Sequence, residues 1–376
     1  MNRLLSRPVL VWIGLISYPL YLWHWPLLTF ARILHGEIPP AAVRILLLLA
    51  SVLLAQATYA WLERPIRAHG RRNVWATPGF SAAMVVVALA GALVFANRLQ
   101  SASASVPHVA NVSEASLDWE GGKNGRLPGD SPRAVMFFGD SHMQQYWPRI
   151  KAVMDTHQQP VRTVVFHARG GCAPIPEIER RGYGCPEFVD AGFARAAEAD
   201  VDIVVIAASW MGLRGRSDLS RVSDGQLLDL QGADEQWVFD RLEKALETLQ
   251  RQGKTVVIVL SSPRDETLDP AKMLRKSGLL GWRVELSPPL SRPQLEAYVA
   301  PTDNRLREMA RRLGATTVNP LDTFCSATHC PALSAEDDPL FKDATHIRAS
   351  VVRDKFSALD RFIYLPDATT AQFLGC

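Results

Sequence analysis

Three long runs without a charged residue open the chain. They cover residues 8–31, 45–62 and 73–97, which are 24, 18 and 25 residues long. Because about 20 consecutive apolar residues are needed to cross the hydrocarbon core of a bilayer, each run is predicted to be a membrane-spanning helix. For the shortest run the alternative is a buried helix of a soluble protein.

Arginines flank these runs unequally. Two precede the first run and four lie between the second and the third, whereas the loop between the first and the second holds two. Short cytoplasmic loops of membrane proteins are enriched in Lys and Arg. The N-terminus is therefore predicted to be cytoplasmic, and everything after residue 97 is predicted to lie on the other side of the membrane.

The remainder of the chain has a different pattern. Residues 98–131 are rich in Ser, Ala, Gly and Asn, which indicates a linker. From Arg133 onward, short apolar runs alternate with amphipathic stretches such as Asp234–Arg251 and Arg292–Leu313. This alternation predicts an α/β domain with a doubly wound, mostly parallel sheet flanked by helices. The predicted strands are 134–138, 163–166, 202–208, 255–260 and 316–318.

Composition and charge narrow the class of protein. The 376 residues are 48% hydrophobic and 21% charged, too apolar for one plain soluble domain and too charged for membrane helices alone. The first 100 residues hold nine arginines, no lysine and two glutamates, which gives them a net charge of +7. Because the whole chain has a net charge of +3, the remaining 276 residues have a net charge of −4. Because the arginines flank apolar runs instead of forming a patch on a polar domain, no nucleic-acid partner is expected.

Two short motifs lie at opposite ends of the α/β region. Gly139-Asp140-Ser141 follows the first predicted strand, and Asp343-Ala344-Thr345-His346 stands near the end. Ligands of such sheets bind beyond the carboxyl ends of the strands. Taken alone, the first motif is typical of a turn and helix cap, and the second of a solvated loop. Together they supply an attacking hydroxyl, a base and a group that orients the base.

The two motifs, in this order and fold, resemble the SGNH (GDSL-type) hydrolase superfamily over roughly residues 133–365. The resemblance implies Ser141 as nucleophile, His346 as general base and Asp343 as orienting carboxylate. It also implies an oxyanion hole formed by the backbone amides of Ser141 and Gly171.

One block departs from the superfamily pattern. Ala208-Ser209-Trp210-Met211 stands where the family has Gly-x-Asn-Asp, whose Asn completes the oxyanion hole. Trp210 is predicted either to stack on a sugar ring beside the nucleophile or to fill the core at the end of a strand. Asp140 is a second candidate for substrate contact.

All five cysteines follow residue 170. Cys172–Cys185 and Cys325–Cys330 are candidate local disulfides if this part of the chain is in an oxidising compartment. Other pairings remain open, and Cys376 is left over. A zinc site formed by Cys325, His329 and Cys330 is the alternative, although its spacing matches no usual pattern.

The first apolar run contains Ser-Tyr-Pro-Leu-Tyr-Leu-Trp-His-Trp-Pro at residues 17–26, and residues 59–67 contain Glu63-Arg64-Pro65. Both stretches are similar to the end of the acyltransferase-3 membrane domain, one branch of which is fused to an extra helix and a periplasmic SGNH domain. The resemblance implies a remnant of that membrane domain at 1–72, an additional transmembrane helix at 73–97, the linker at 98–131 and an SGNH domain at 132–376. It implies a bacterial inner-membrane protein with a periplasmic C-terminal domain. The chain is expected to be a fragment, a truncated gene product or one half of a split system, in which a separate polypeptide supplies the missing membrane helices.

The expected function is O-acylation, chiefly O-acetylation, of a cell-envelope polysaccharide, lipopolysaccharide O-antigen or related glycan. Acetyl-CoA is implied as the acyl donor by resemblance only, and membrane lipid and the glycan are the expected partners. No bound cofactor is expected because no Gly-rich phosphate loop follows a strand, and the reaction requires no metal. The alternatives are a carbohydrate esterase with the same triad and a non-catalytic, membrane-anchored glycan-binding module.

Overall fold

The structure is a computed structural model. It describes residues 7–35, 39–65, 84–89, 91–93, 107–230, 232, 234–277, 281–284 and 288–366. The chain divides into two compact units. The first comprises Met1–Pro107 with Arg275–Arg283, and the second comprises His108–Leu274 with Val284–Cys376.

The first unit contains two packed helices. Pro8–His35 is a helix of 28 residues. Ala41–Thr58 continues as a π-helix over Tyr59–Glu63. Side-chain hydrogen bonds join the pair, because Trp12 Nε1 donates to Gln56 Oε1 at 2.7 Å and Trp23 Nε1 donates to Thr58 Oγ1 at 3.0 Å.

Only part of the three-span prediction is confirmed. Among the residues described, one helix, Ala41–Glu63, is long and apolar enough to cross a membrane, and only 11% of its apolar window is buried. Pro8–His35 is 28 residues long but is not among the helices that meet this criterion. Of the third predicted run, a short apolar helix from Met84 to Leu93 is described in part, and residues 66–83 and 94–106 lie outside the described residues.

The second unit is built on a six-stranded sheet. Along the chain its strands are β1 Gly125–Leu127, β2 Ser131–Gly139, β3 Arg162–Ala168, β4 Val201–Ala207, β5 Thr255–Val259 and β6 Thr316–Val318. Their spatial order in the sheet is β1-β3-β2-β4-β5-β6. Strand β1 is antiparallel to its neighbour and the other five strands are parallel. All five predicted strands are present, with ends shifted by at most three residues.

Helices cover both faces of this sheet, and the two predicted helices, Asp234–Arg251 and Arg292–Leu313, have the predicted bounds. The other helices from residue 107 onward are Pro107–Ala115, Ser141–Gln144, Trp147–Thr156, Cys185–Ala197, Trp210–Arg214, the 3₁₀ turn Glu266–Leu268, Pro270–Met273, Leu321–Phe324, Ala349–Lys355 and Asp360–Ile363. Among the described residues there are also three short strand pairs: Ile178–Arg180 with Leu219–Arg221, Leu290–Ser291 with His329–Cys330, and Leu274–Ser277 with Gly281–Val284.

The hydrophobic core lies in two layers because side chains alternate across each strand. In β2, Ala134, Met136 and Phe138 enter the layer on one face, whereas Val135 and Phe137 enter the layer on the other. Burial on both faces explains why these strands have continuous apolar runs. The carboxyl ends of the parallel strands thus meet at one edge between two rigid helical layers.

The predicted linker is wrong for its C-terminal part. Residues 108–131 belong to the second unit, since β1 pairs with β3 and Asn124 Oδ1 accepts a hydrogen bond from the Ala168 amide at 2.7 Å. Asp118 accepts from Arg348 Nε at 2.9 Å. Val112 and Ala115 are buried, but much of the segment is held by polar contacts, so it lacks the sustained apolar period that would have indicated structure. Residues 98–106 lie outside the described residues.

Both predicted local disulfides are present, Cys172–Cys185 and Cys325–Cys330. The second one occupies both cysteines of the alternative zinc site, so that alternative is wrong. Within the described part of the chain, no group of three or more His, Cys, Asp or Glu side chains is arranged to hold a metal. Cys376 lies outside the described residues.

Candidate active site

Ser141 is the first residue of the helix that follows β2. Asp140 caps this helix, because its Oδ1 accepts a hydrogen bond from the His142 amide at 2.8 Å. The turn requires glycine at position 139, where a Cβ atom would lie 1.9 Å from the Ala207 carbonyl oxygen of the neighbouring strand. The close approach of β2 and β4 thus fixes the backbone from which Ser141 projects.

His346 connects Ser141 to Asp343. Its Nε2 lies 2.9 Å from Ser141 Oγ, and its Nδ1 lies 2.9 Å from Asp343 Oδ2. An ionised carboxylate only accepts hydrogen bonds, so it favours the tautomer with the proton on Nδ1. In that tautomer the Ser141 hydroxyl donates to Nε2, which is the arrangement a base needs to remove the hydroxyl proton.

Asp343 stays ionised although it is partly buried. Burial opposes ionisation, but hydrogen bonds from His346 and Thr345 outweigh it and hold the pKa of Asp343 well below its usual value. Its Oδ1 accepts from the amides of Thr345 at 2.8 Å and His346 at 2.9 Å, and from Thr345 Oγ1 at 2.9 Å. The carboxylate therefore organises its own loop as well as the imidazole.

The loop of His346 is tied to neighbouring elements. The amide of Ile347 donates to Gln145 Oε1 at 3.2 Å, and Gln145 belongs to the turn just after the helix of Ser141. The Asp265 amide donates to the Ala344 carbonyl oxygen at 3.0 Å. Trp119 packs edge-on against the His346 ring with centroids 5.0 Å apart. Contacts from three segments thus restrict the position of the imidazole.

A second histidine lies against the first. The ring centroids of His142 and His346 are 5.0 Å apart. Burial, together with the charge of His346, holds the pKa of His142 well below its usual value. His142 is therefore neutral at pH 7 and adds no positive charge next to the triad.

The two residues predicted for the oxyanion hole, Ser141 and Gly171, line one cavity. Gly171 has φ of +83°, a left-handed conformation that glycine adopts without strain, and it lies in the wall of that cavity. A Cβ atom on the preceding Gly170 would lie 3.9 Å from Ser141 Cβ. The amides of Ser141 and Gly171 remain the proposed donors.

Asp140 and Trp210, the predicted candidates for substrate contact, are both buried, and Trp210 takes the core position that was its alternative prediction. Trp210 is 1% exposed, and its Nε1 donates to the Val259 carbonyl oxygen at 2.8 Å. Its indole packs in the core layer that contains Met136 and Phe138, so Trp210 is a core residue. Asp140 is 3% exposed and accepts from the amides of His142 and Ser209, so both of its oxygens serve the backbone.

The site opens into a cavity of about 500 Å³ that contains Ser141 and His346. Sequence reasoning missed several of its lining residues. These are His142, Ser209, Met211, Gly212, Arg214, Gly215, Arg216, Arg264, Tyr298 and Thr345. Arg264 follows β5 by a few residues, so the rule that ligands bind beyond strand ends was the signal that could have found it.

This fold and site define an α/β domain with a Ser–His–Asp arrangement of the serine-hydrolase type. A family model described as "SGNH domain (fused to AT3 domains)" matches residues 111–354, which is more than half of the chain. The chain belongs to this family.

Individual proteins resemble shorter parts of the chain or resemble it more distantly. The O-acetyltransferase OatA of Staphylococcus aureus is 40% identical over 70 residues, which are 18% of this chain and 11% of that protein. The chain therefore matches about a tenth of the length of this curated relative. The periplasmic domain of the lipopolysaccharide acetyltransferase of Salmonella ser. Paratyphi A superposes with a TM-score of 0.46 at 12% identity, covering 69% of this chain and 89% of that one. An acetyl xylan esterase, AlAXEase, superposes with a TM-score of 0.37 at 14% identity, covering 61% and 98%.

Proposed function

We propose that this chain is a membrane-anchored O-acyltransferase that transfers an acetyl group to a hydroxyl of a cell-envelope glycan. The observation that carries the proposal is the hydrogen-bonded series Asp343–His346–Ser141 at the wall of an open cavity. Membership of the SGNH family fused to AT3 domains supports acyl chemistry. The name of the relative OatA, an O-acetyltransferase, supports acetyl as the group and O-transfer as the reaction.

The proposed reaction has two balanced steps. In the first, Ser141 Oγ attacks the acyl carbonyl carbon while His346 Nε2 takes the hydroxyl proton. The bond to the donor's leaving group then breaks, and that group departs with the proton from His346. In the second step a sugar hydroxyl attacks the acyl-serine and gives its proton to His346. The ester bond to Ser141 breaks and the serine regains the proton.

Each residue has a proposed role in these steps. Asp343 holds the imidazole in the required tautomer and stabilises its positive form. The amides of Ser141 and Gly171 stabilise the negative oxygen of each tetrahedral intermediate.

The proposal extends to the membrane and the compartment. Helix Ala41–Glu63 is the proposed anchor, and residues 8–31 and 73–97 are proposed as further spans of a bacterial inner membrane. The N-terminus is proposed to be cytoplasmic and the SGNH domain periplasmic, where its two disulfides would persist. AT3-type membrane helices are the proposed carriers of acetyl groups from cytoplasmic acetyl-CoA. The proposed acceptor is a polysaccharide or a lipopolysaccharide O-antigen.

The test uses the full chain in detergent with p-nitrophenyl acetate as donor and candidate envelope oligosaccharides as acceptors. Intact mass reports acetyl on the protein, and mass spectrometry reports acetyl on the sugar. We expect acetyl on Ser141, and we expect it to move to a sugar faster than it is lost to water. The Ser141→Ala chain should take no acetyl at the site, whereas Ser357→Ala, which changes an exposed serine of the same domain, should behave as wild type.

Two results would count against the proposal. Acetylation that persists in Ser141→Ala would remove the nucleophile assignment. Acetyl that passes to water at the same rate with and without sugar would make the chain an esterase.

A further inference from the structure

The cavity beside Ser141 has an excess of positive side chains. Arg214, Arg216 and Arg264 line it, and among the described residues the one carboxylate in its wall is Asp140. Asp140 is buried and directs both oxygens to backbone amides. The cavity therefore presents positive charge to whatever enters it.

Two of the three arginines already have carboxylate partners. Arg214 Nη1 lies 2.9 Å from Glu235 Oε1, and Arg216 Nη1 lies 3.7 Å from Asp218 Oδ2. Arg264 differs from both. Its Nη1 lies 3.4 Å from Ser209 Oγ, a neutral acceptor. Across the ranges that the structure describes, no carboxylate forms an ion pair with Arg264.

Arg264 also lies between two cavities. A second cavity of about 460 Å³ shares Arg264, Tyr298 and Thr345 with the first one. A ligand long enough to occupy both would pass the guanidinium while one of its hydroxyls lies near Ser141. A glycan has that extended form.

A half-buried guanidinium has lost part of its hydration, and without an opposite charge nearby this loss of solvation free energy is not compensated. A carboxylate or phosphate group binds guanidinium through two parallel hydrogen bonds, which are shorter and stronger than bonds to neutral groups. A neutral sugar hydroxyl offers neither the charge nor the paired geometry.

We propose that Arg264 binds an anionic group of the acceptor, a carboxylate or a phosphate, next to the hydroxyl that receives the acyl group. This inference rests on the proposed acyl transfer to a glycan. It narrows the acceptor class to acidic glycans, either uronic-acid-containing or phosphorylated.

Binding tests this without requiring transfer. The full chain in detergent is titrated by ligand-observed NMR with methyl β-D-glucuronide, glucose 6-phosphate and the neutral methyl β-D-glucoside at one ionic strength. We expect at least one anionic sugar to bind roughly tenfold more tightly than the neutral sugar, as expected for a charge-assisted hydrogen bond. The sugar that is preferred distinguishes carboxylate from phosphate.

Variants locate the effect. Arg264→Gln should bring the anionic and neutral affinities within about twofold of each other, whereas Arg264→Lys keeps the charge without the paired geometry and should retain part of the preference. Arg311→Gln removes an exposed arginine of the helix Arg292–Leu313 and should leave the preference unchanged. Equal affinity of the wild type for all three sugars would overturn the proposal, and so would a preference that survives Arg264→Gln.

Acetylation of Ser141 by p-nitrophenyl acetate, measured without sugar, separates this inference from the proposed function. A chain that acetylates Ser141 but does not distinguish the sugars retains the proposed function and loses the anionic site. If Arg264→Gln slows acetylation and leaves the sugar affinities unchanged, Arg264 serves the oxyanion instead and the inference is wrong. A chain that prefers anionic sugars but never acetylates Ser141 loses the proposed function.

Discussion

Replacing Asp343 by Asn tests whether the carboxylate sets the tautomer of His346. Asn has nearly the same size and keeps one oxygen, which can still accept from the amides of Thr345 and His346 at the position of Oδ1. The loop should therefore keep its fold. At the position of Oδ2, however, an NH₂ group would face His346 Nδ1, which now lies 2.9 Å from an acceptor.

Two donors cannot face each other at that position. The retained oxygen also lies 3.0 Å from Nδ1, but it already accepts from the amides of Thr345 and His346 and from Thr345 Oγ1. Nδ1 would therefore become the acceptor of the new NH₂ group, and the ring proton would move to Nε2. The ring could then no longer accept the proton of Ser141, whose oxygen is 2.9 Å away. In a serine protease the same exchange of Asp for Asn lowers turnover by about 10⁴-fold, which corresponds to about 5.5 kcal/mol of transition-state stabilisation. We expect Ser141 acetylation to fall by that order.

The assay is the rate of p-nitrophenol release from p-nitrophenyl acetate together with intact mass, and circular dichroism monitors folding. Asp354→Asn, which changes an exposed carboxylate of the same domain, is the matched control and should keep the wild-type rate. If folded Asp343→Asn retained more than a tenth of the wild-type rate, the tautomer argument would be refuted. His346 would then require no carboxylate to act as a base.

Two further substitutions test the support around the site, and a third tests an ion pair at the amino end of β4. Gly139→Ala should lower the unfolding free energy by about 3 kcal/mol because its Cβ would overlap the Ala207 carbonyl oxygen, and thermal unfolding measures this; an unchanged melting temperature would contradict the close approach. Gln145→Leu removes the acceptor of the Ile347 amide and the hydrogen bonds that Gln145 Nε2 donates to the His142 carbonyl oxygen and to Ser262 Oγ. Ser141 acetylation should therefore fall at least roughly tenfold while the domain stays folded by circular dichroism. Asp200 has its pKa lowered to about 2 by hydrogen bonds from Arg195 and Arg126. Its contribution to stability is therefore present above pH 4 and is lost as pH falls toward 2; Asp200→Asn should lower stability at pH 7 by about 1 kcal/mol after allowance for solvent screening and should flatten the loss between pH 4 and 2 in acid titrations.

The sequence was sufficient for the five parallel strands and for the candidate residues of the triad, for a physical reason. Buried parallel strands are continuous apolar runs, and side chains that follow them lie at one edge of the sheet. Ser141 follows β2 directly, and Asp343 and His346 are three residues apart in one loop. The pattern locates these groups, but their assignment as a triad needed the resemblance to the SGNH superfamily, because either motif alone is typical of a turn or a solvated loop.

Contacts made through polar or isolated side chains were not predictable in the same way. The segment that contains Asp118 and Asn124 joins the domain through the short pairing of β1 with β3 and through polar contacts of these two side chains, which leave no periodic pattern in a sequence. Trp210 was ambiguous because its direction depends on the short helix that it begins, and one residue at a helix start indicates neither core nor cavity. Arg264 is a single arginine in a loop, and only the fold brings it to the cavity of Ser141.

The acid–base chemistry and the choice of acceptor can be separated by substitution, although they share a segment. The backbone of Asp265, next to Arg264, donates to the Ala344 carbonyl oxygen in the loop of His346. A displacement of the backbone at Arg264 would therefore also displace the loop that holds His346. A change of side chain alone leaves that hydrogen bond in place, since the Asp265 amide makes it whatever side chain precedes it. Sugar preference lost with Ser141 acetylation retained is thus the pattern expected of Arg264→Gln, and the reverse pattern is expected of Asp343→Asn.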